Sequence, residues 1–151
     1  GFQYKSPTVQ FIEDAKAACS YLVNILTEKT DISVENSLPH LINESRKLIV
    51  NCVQLNETIE IVCEMVEKII SCWYDRIRTE EKWDTQWMRD FGNTWALLHE
   101  FFAGCLSVEH ARKRMTEIIH FWIDECSLIT KPTYIQHLMI TMLNELFSQF
   151  E

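Results

Sequence analysis

Residues 87–109 read WMRDFGNTWALLHEFFAGCLSVE, and the fold turns on how this stretch is divided. Trp83, Trp87 and Met88 make a short aromatic segment that ends near Phe91 and Gly92. Glycine accepts the left-handed conformation that closes a helix, so Gly92 predicts a stop. Asn93 or Thr94 then caps a new helix carrying Trp95, Leu98, Phe101, Phe102, Cys105 and Leu106. That helix is apolar on most sides, which predicts a central helix wrapped by its neighbours.

On both sides of this stretch, apolar residues recur at helical spacing. Ser6-Pro7 opens a first helix with the stripe Ile12, Ala15, Cys19, Leu22 and Leu26, followed by a polar connection from Glu28 to Asn36. Ser37 and Pro39 open a second helix with Leu41, Ile42, Leu48, Ile49, Cys52 and Val53. Asn56 is the expected cap of a third, which runs to about Arg78 with Ile59, Val62, Val66, Ile69, Ile70, Trp73 and Ile77 on one face. Ser107 is the expected cap of a helix carrying Ala111, Met115, Ile118, Ile119, Trp122 and Ile123. After a break at Thr130 and Pro132, a last helix carries Ile135, Leu138, Met139, Met142, Leu143, Leu146 and Phe147. The reading is an all-α bundle of about seven helices forming one domain over residues 1–151.

The 151 residues include only 3 Gly and 3 Pro, too few for a strand-and-turn architecture. A net charge of -8 repels phosphate backbones, and the one basic cluster, Arg112 to Arg114, reads as a solvated helix face. Nucleic acid is therefore not expected as a partner. The six cysteines, Cys19, Cys52, Cys63, Cys72, Cys105 and Cys126, each fall in an apolar helical stripe. They read as buried free thiols, which predicts a reducing compartment. No run of 18 apolar residues occurs, and the chain opens without a signal-peptide pattern.

Catalytic constellations are not expected. Glu117 and His120 share a helical face at the spacing used in di-iron bundles, which need that pair twice. No second copy and no Cys-x-x-Cys pair occurs. His99-Glu100 reads as a solvated pair, and three scattered glycines cannot build a phosphate loop. The expectation is a chain with no cofactor, no metal and no enzymatic activity, working through another protein.

The stretch 87–109 resembles the first homology region of the Bcl family, the helical regulators of programmed cell death. Met88, Arg89, Asp90 and Gly92 look like the family's turn, and Asn93 with Trp95 looks like the opening of its central helix. Phe101-Phe102 stands six and seven residues past Trp95, as in the family, and Gly104 resembles its small-residue position. The helix with His120, Phe121, Trp122 and Ile123 is similar in placement to the family's sixth. Thr94 is an extra residue, Ala96 replaces a glycine, and Leu97 stands where the family carries the arginine that pairs with its ligand's aspartate. No second homology region is evident. The departures resemble those of divergent viral members.

The resemblance implies a pro-survival regulator that sequesters the amphipathic helix of a pro-apoptotic protein in a hydrophobic groove. The implied groove residues are Val62, Val66, Ile69, Met88, Arg89, Asn93, Trp95, Leu98 and Phe102, with Arg89 standing in for the missing arginine. It also implies a cytoplasmic location, at the mitochondrial surface where a tail anchor lies outside this chain. Exposed aromatics raise the further expectation of a homodimer. The alternative is a HEAT-like or other helical adaptor acting as an interaction scaffold.

Overall fold

A computed structural model describes residues 7–27, 38–53, 55–79, 84–130 and 132–149. Six helices occur among them: α1 (Pro7–Thr27), α2 (Leu38–Cys52), α3 (Asn56–Thr79), α4 (Thr85–Cys105), α5 (Glu109–Ser127) and α6 (Tyr134–Ser148). The described residues contain no strand, so the class is all-α. The expectations placed on Ser6, Ser37, Trp83 and the connection from Glu28 to Asn36 lie outside the described residues.

Six helices replace the expected seven because Gly92 does not end one. α4 passes straight through it, and no glycine among the described residues has a positive φ. Trp87, Phe91, Trp95, Leu98, Phe102 and Cys105 form one unbroken buried stripe at helical spacing. Trp73 of α3 meets Trp87 and Phe91 at centroid distances of 4.9 and 5.6 Å, and Phe91 meets Trp95 at 5.9 Å. A glycine inside a helix costs about 1 kcal/mol, whereas burying each large apolar side chain gains about 1.5–3 kcal/mol. Burial decides the outcome.

The start signals are corrected in detail. α4 is capped by Asp84, whose carboxylate accepts from the Trp87 N–H at 2.7 Å, so neither Asn93 nor Thr94 is a cap. Thr94 is buried mid-helix with its hydroxyl donating to the Asp90 carbonyl at 2.8 Å. α3 opens after Leu55, whose carbonyl already accepts from the Ile59 N–H, and Asn56 is its first helical residue. α5 starts behind Val108, which provides no side-chain cap; Ser107 stands one residue too early. The break at Thr130 and Pro132 is real, and Thr133 and Gln136 close it with a reciprocal capping box.

The centre of the bundle is α3, which packs against each of the other five helices. It buries eleven residues, including Val62, Val66, Ile69 and Trp73. The expected central rod from Trp95 to Leu106 is only partly sheathed, since Ala103 is exposed and His99 and Glu100 are partly so. α1 packs chiefly on α3 and α2 chiefly on α4, while the consecutive pairs α1–α2 and α3–α4 touch lightly. Only α5 and α6 form an extensive sequential pair. Polar ties fix these crossings. Trp73 Nε1 donates to the Leu26 carbonyl at 2.8 Å, Gln136 Nε2 to the Ile77 carbonyl at 3.2 Å, and Arg46 forks onto Glu100 at 2.9 and 3.1 Å.

Candidate functional site

The nine residues implied by the resemblance are not gathered on one open face. Val62, Val66 and Ile69 on α3, and Trp95, Leu98 and Phe102 on α4, are all buried in the core. Met88 and Asn93 are half-buried and Arg89 is exposed. Leu97, at the position of the family's arginine, is 0% exposed and faces the core. None of the nine lines any of the principal clefts found among the described residues.

Surface concavity is concentrated instead beside α1. Because α1 leans on α3 and α2 leans on α4, a slot opens between α1 and α2. It consists of two adjoining hollows of about 300 and 280 Å³ that share Ala18, Glu44 and Leu48. Phe11, Ala15, Ala18 and Leu22 form the α1 wall at spacings of three, four and seven, one helical stripe. Leu48 and Cys52 form the apolar part of the α2 wall, and Asp14, Lys47 and His40 stand along the rim. The Phe11 end faces Cys52 and the Tyr21 end faces His40, so the two helices run antiparallel along the slot. From Phe11 to Leu22 the slot follows three turns of helix, roughly 16 Å at 1.5 Å per residue. Alanines at its floor leave room for another backbone to approach closely.

Two more clefts flank the outward stripe of α3. One of about 410 Å³ lies against α1, with Cys19, Val23, Ile61 and Met65 beneath Lys16 and Lys68. The other, about 550 Å³, lies against α5, where Trp122 faces Glu64, Glu67 and Asp75.

Most of the cysteines are enclosed by the bundle. Five are buried, and Cys72 is half-buried. Burial pushes Cys19, Cys63 and Cys105 up to about 12, and Cys52 and Cys126 up to about 11, from an ordinary 9.0. A thiol held in that range stays protonated at neutral pH and is a poor nucleophile or metal ligand. Among the described residues, no group of three or more His, Cys, Asp or Glu is arranged to hold a metal ion. None of the described helices is long and apolar enough to cross a membrane.

No protein-family model, no curated protein and no solved structure matches the chain.

The sequence assigns Ala15, Leu22, Leu48 and Cys52 to helical stripes but does not show that these stripes face each other across a slot. Ala18, Glu44 and Lys47 carry no strong signal, and only the third dimension brings the two stripes together.

Proposed function

We propose that the domain is a protein-interaction module that captures an amphipathic helix, in its finer form a pro-survival regulator of the Bcl type that sequesters the death-promoting helix of a partner. The observation that carries the reading is the α1–α2 slot, with its apolar stripes and charged rim. A visiting helix lays residues at i, i+3 or i+4, and i+7 along such a slot. The interleaved packing of α1 on α3 and α2 on α4 supports a globular bundle over a stacked array of helical hairpins, in which consecutive helices would pair. The residues from Asn93 to Gly104 that resemble the family's central helix add support.

A second reading has its own observation. The uninterrupted helix through Gly92 departs from the family's turn and favours a helical adaptor outside that family. In it, the same slot serves a different amphipathic partner.

Fluorescence anisotropy with a panel of labelled pro-death helical peptides separates the readings. Saturable binding to at least one peptide, weakened about tenfold or more by Ala18→Phe, is expected, because a phenyl group at the junction of the two hollows occupies the ligand's place. Absence of binding across the panel removes the Bcl-type reading. Binding that ignores Ala18→Phe in a protein of unchanged circular dichroism removes the slot.

A further inference from the structure

α5 packs on α3, α4 and α6, and its remaining face is open to solvent. Lys113, Glu117, His120 and Asp124 are exposed on that face at spacings of four, three and four, a single seam along three turns. Arg114, on one flank, is taken up by Glu60 at 3.0 Å and Glu67 at 3.4 Å. Lys113, Glu117 and Asp124, by contrast, form no ion pair among the described residues. Lys113 and Glu117 stand four apart, but a lysine that precedes its glutamate is the weaker order for a pair along one helix. His120 is braced by Phe147 of α6, edge-on with centroids 4.5 Å apart. Beside the seam, Phe121 is 51% exposed and Leu128 71%, and their separation of seven residues sets both on one flank.

The seam is its own complement. Turned end over end, a second copy places Lys113 of each chain opposite Asp124 of the other, and Glu117 opposite His120. An antiparallel pair of helices with alternating spacings of four and three brings those same layers together. Each layer occurs twice, because the axis relating the copies is two-fold. A parallel pair in register would instead set Lys113, Glu117 and Asp124 each against itself, three layers of like charge. The two-fold axis passes between Ile118 and Ile119, so the Phe121 rings of the two copies fall on the same flank, about 7–8 Å apart along the helices. Both lose part of their exposure there.

We infer that the outward face of α5 is a self-association surface, and that its occupant is the same face of a second copy of this chain, antiparallel about the two-fold axis. The homodimer expected from exposed aromatics thereby gains a definite face, distinct from the α1–α2 slot and independent of the function proposed for it. One helix-on-helix contact over three turns buries less than the roughly 1,200 Å² of a stable complex. The dimer is therefore weak, with a Kd of roughly 10–500 μM. The net charge of -8 on each copy opposes association at low ionic strength. At about 0.15 M salt the Debye length of about 8 Å screens most of that repulsion and leaves the close pairs of the seam.

Sedimentation equilibrium of the full chain, from about 5 to about 500 μM at about 0.15 M salt, tests the proposal. The average mass is expected to rise from 17.9 kDa toward twice that value. Lys113→Glu and Asp124→Lys change exposed groups, and each alone sets like charges opposite one another at two places. Each is expected to weaken association at least about tenfold with an unchanged circular dichroism spectrum. An equimolar mixture of these two variants restores both layers of opposite charge, and is expected to associate as the wild type does. A damaged fold could not recover in that way. Phe121→Ser is also expected to weaken the dimer, and Ala18→Phe in the slot to leave it unchanged. A mass of 17.9 kDa throughout, indifference to the single reversals, or a mixture as weak as its components would each overturn the proposal. Loss of association through Ala18→Phe would move the contact to the slot and likewise overturn it.

Discussion

Gly104 of α4 lies directly against Ile49 of α2. A methyl group built at Gly104 would stand 2.9 Å from the Ile49 Cδ1 and 3.2 Å from its Cβ, with Cγ2 closer still. Two of the three crowded atoms, Cβ and Cγ2, belong to the branch point of Ile49 and cannot swing aside as the Cδ1 tip can. The backbones of α2 and α4 can therefore approach here only because the glycine has no side chain. Gly104→Ala is expected to destabilise the domain by about 1–3 kcal/mol through overpacking, despite the better helix propensity of alanine. Urea unfolding measures this, and a gain in stability would contradict the packing described.

Gly92 gives the opposite expectation. It lies in the same helix, exposed, with nothing within 4 Å of an added Cβ. Gly92→Ala should stabilise by about 0.5–1 kcal/mol, since alanine lowers the backbone entropy lost on folding. Were Gly92 a left-handed helix stop, the same change would destabilise. The sign of the shift in melting temperature decides whether α4 is continuous.

The capping box at the start of α6 has a measurable share of stability. The Thr133 hydroxyl accepts from the Gln136 N–H at 3.3 Å, and the Gln136 side chain accepts from the Thr133 N–H at 2.9 Å. Thr133→Ala is expected to cost about 1 kcal/mol, while Thr133→Ser retains most of it. Equal stability of wild type and the alanine variant would show that the box is not formed.

The buried thiols predict how stability responds to alkali. Their folded values, about 11 to 12, lie above the ordinary 9.0, so the unfolded chain loses these protons first. Their contribution is complete below pH 9.0 and is lost as pH rises toward about 12. Denaturant midpoints measured from pH 8 upward should fall through that window. Replacing Cys63, one of the deepest, with alanine should flatten the fall in addition to costing packing at neutral pH.

The helical class and much of the core were legible in the sequence, because burial follows the 3.6-residue period. The stripes through Ala15, Cys19, Leu22 and Leu26, and through Ile59, Val62, Val66, Ile69 and Trp73, are buried as that period requires. The period also runs unbroken from Trp87 to Cys105, and it prevails over the conformational preference of Gly92 for a helix end. Asp84 three residues before Trp87, and Thr133 three before Gln136, were start signals equally open to reading. The open clefts were less legible for a physical reason. The most apolar residues, such as Trp95, Leu98 and Phe102, are the ones that folding hides, so a groove drawn from them falls inside the core. Clefts that remain open are walled by smaller and mixed side chains, such as Ala18 and Glu44, whose position depends on how separate helices cross.

The interleaving of the first four helices also governs how the chain can be made. A ribosome must deliver residues through Thr79 before α1 meets its main partner, and through Cys105 before α2 does. Early hairpins therefore have little to gain, and most of the search is deferred until more than two-thirds of the chain is available, a topology that slows folding relative to a simple up-and-down bundle.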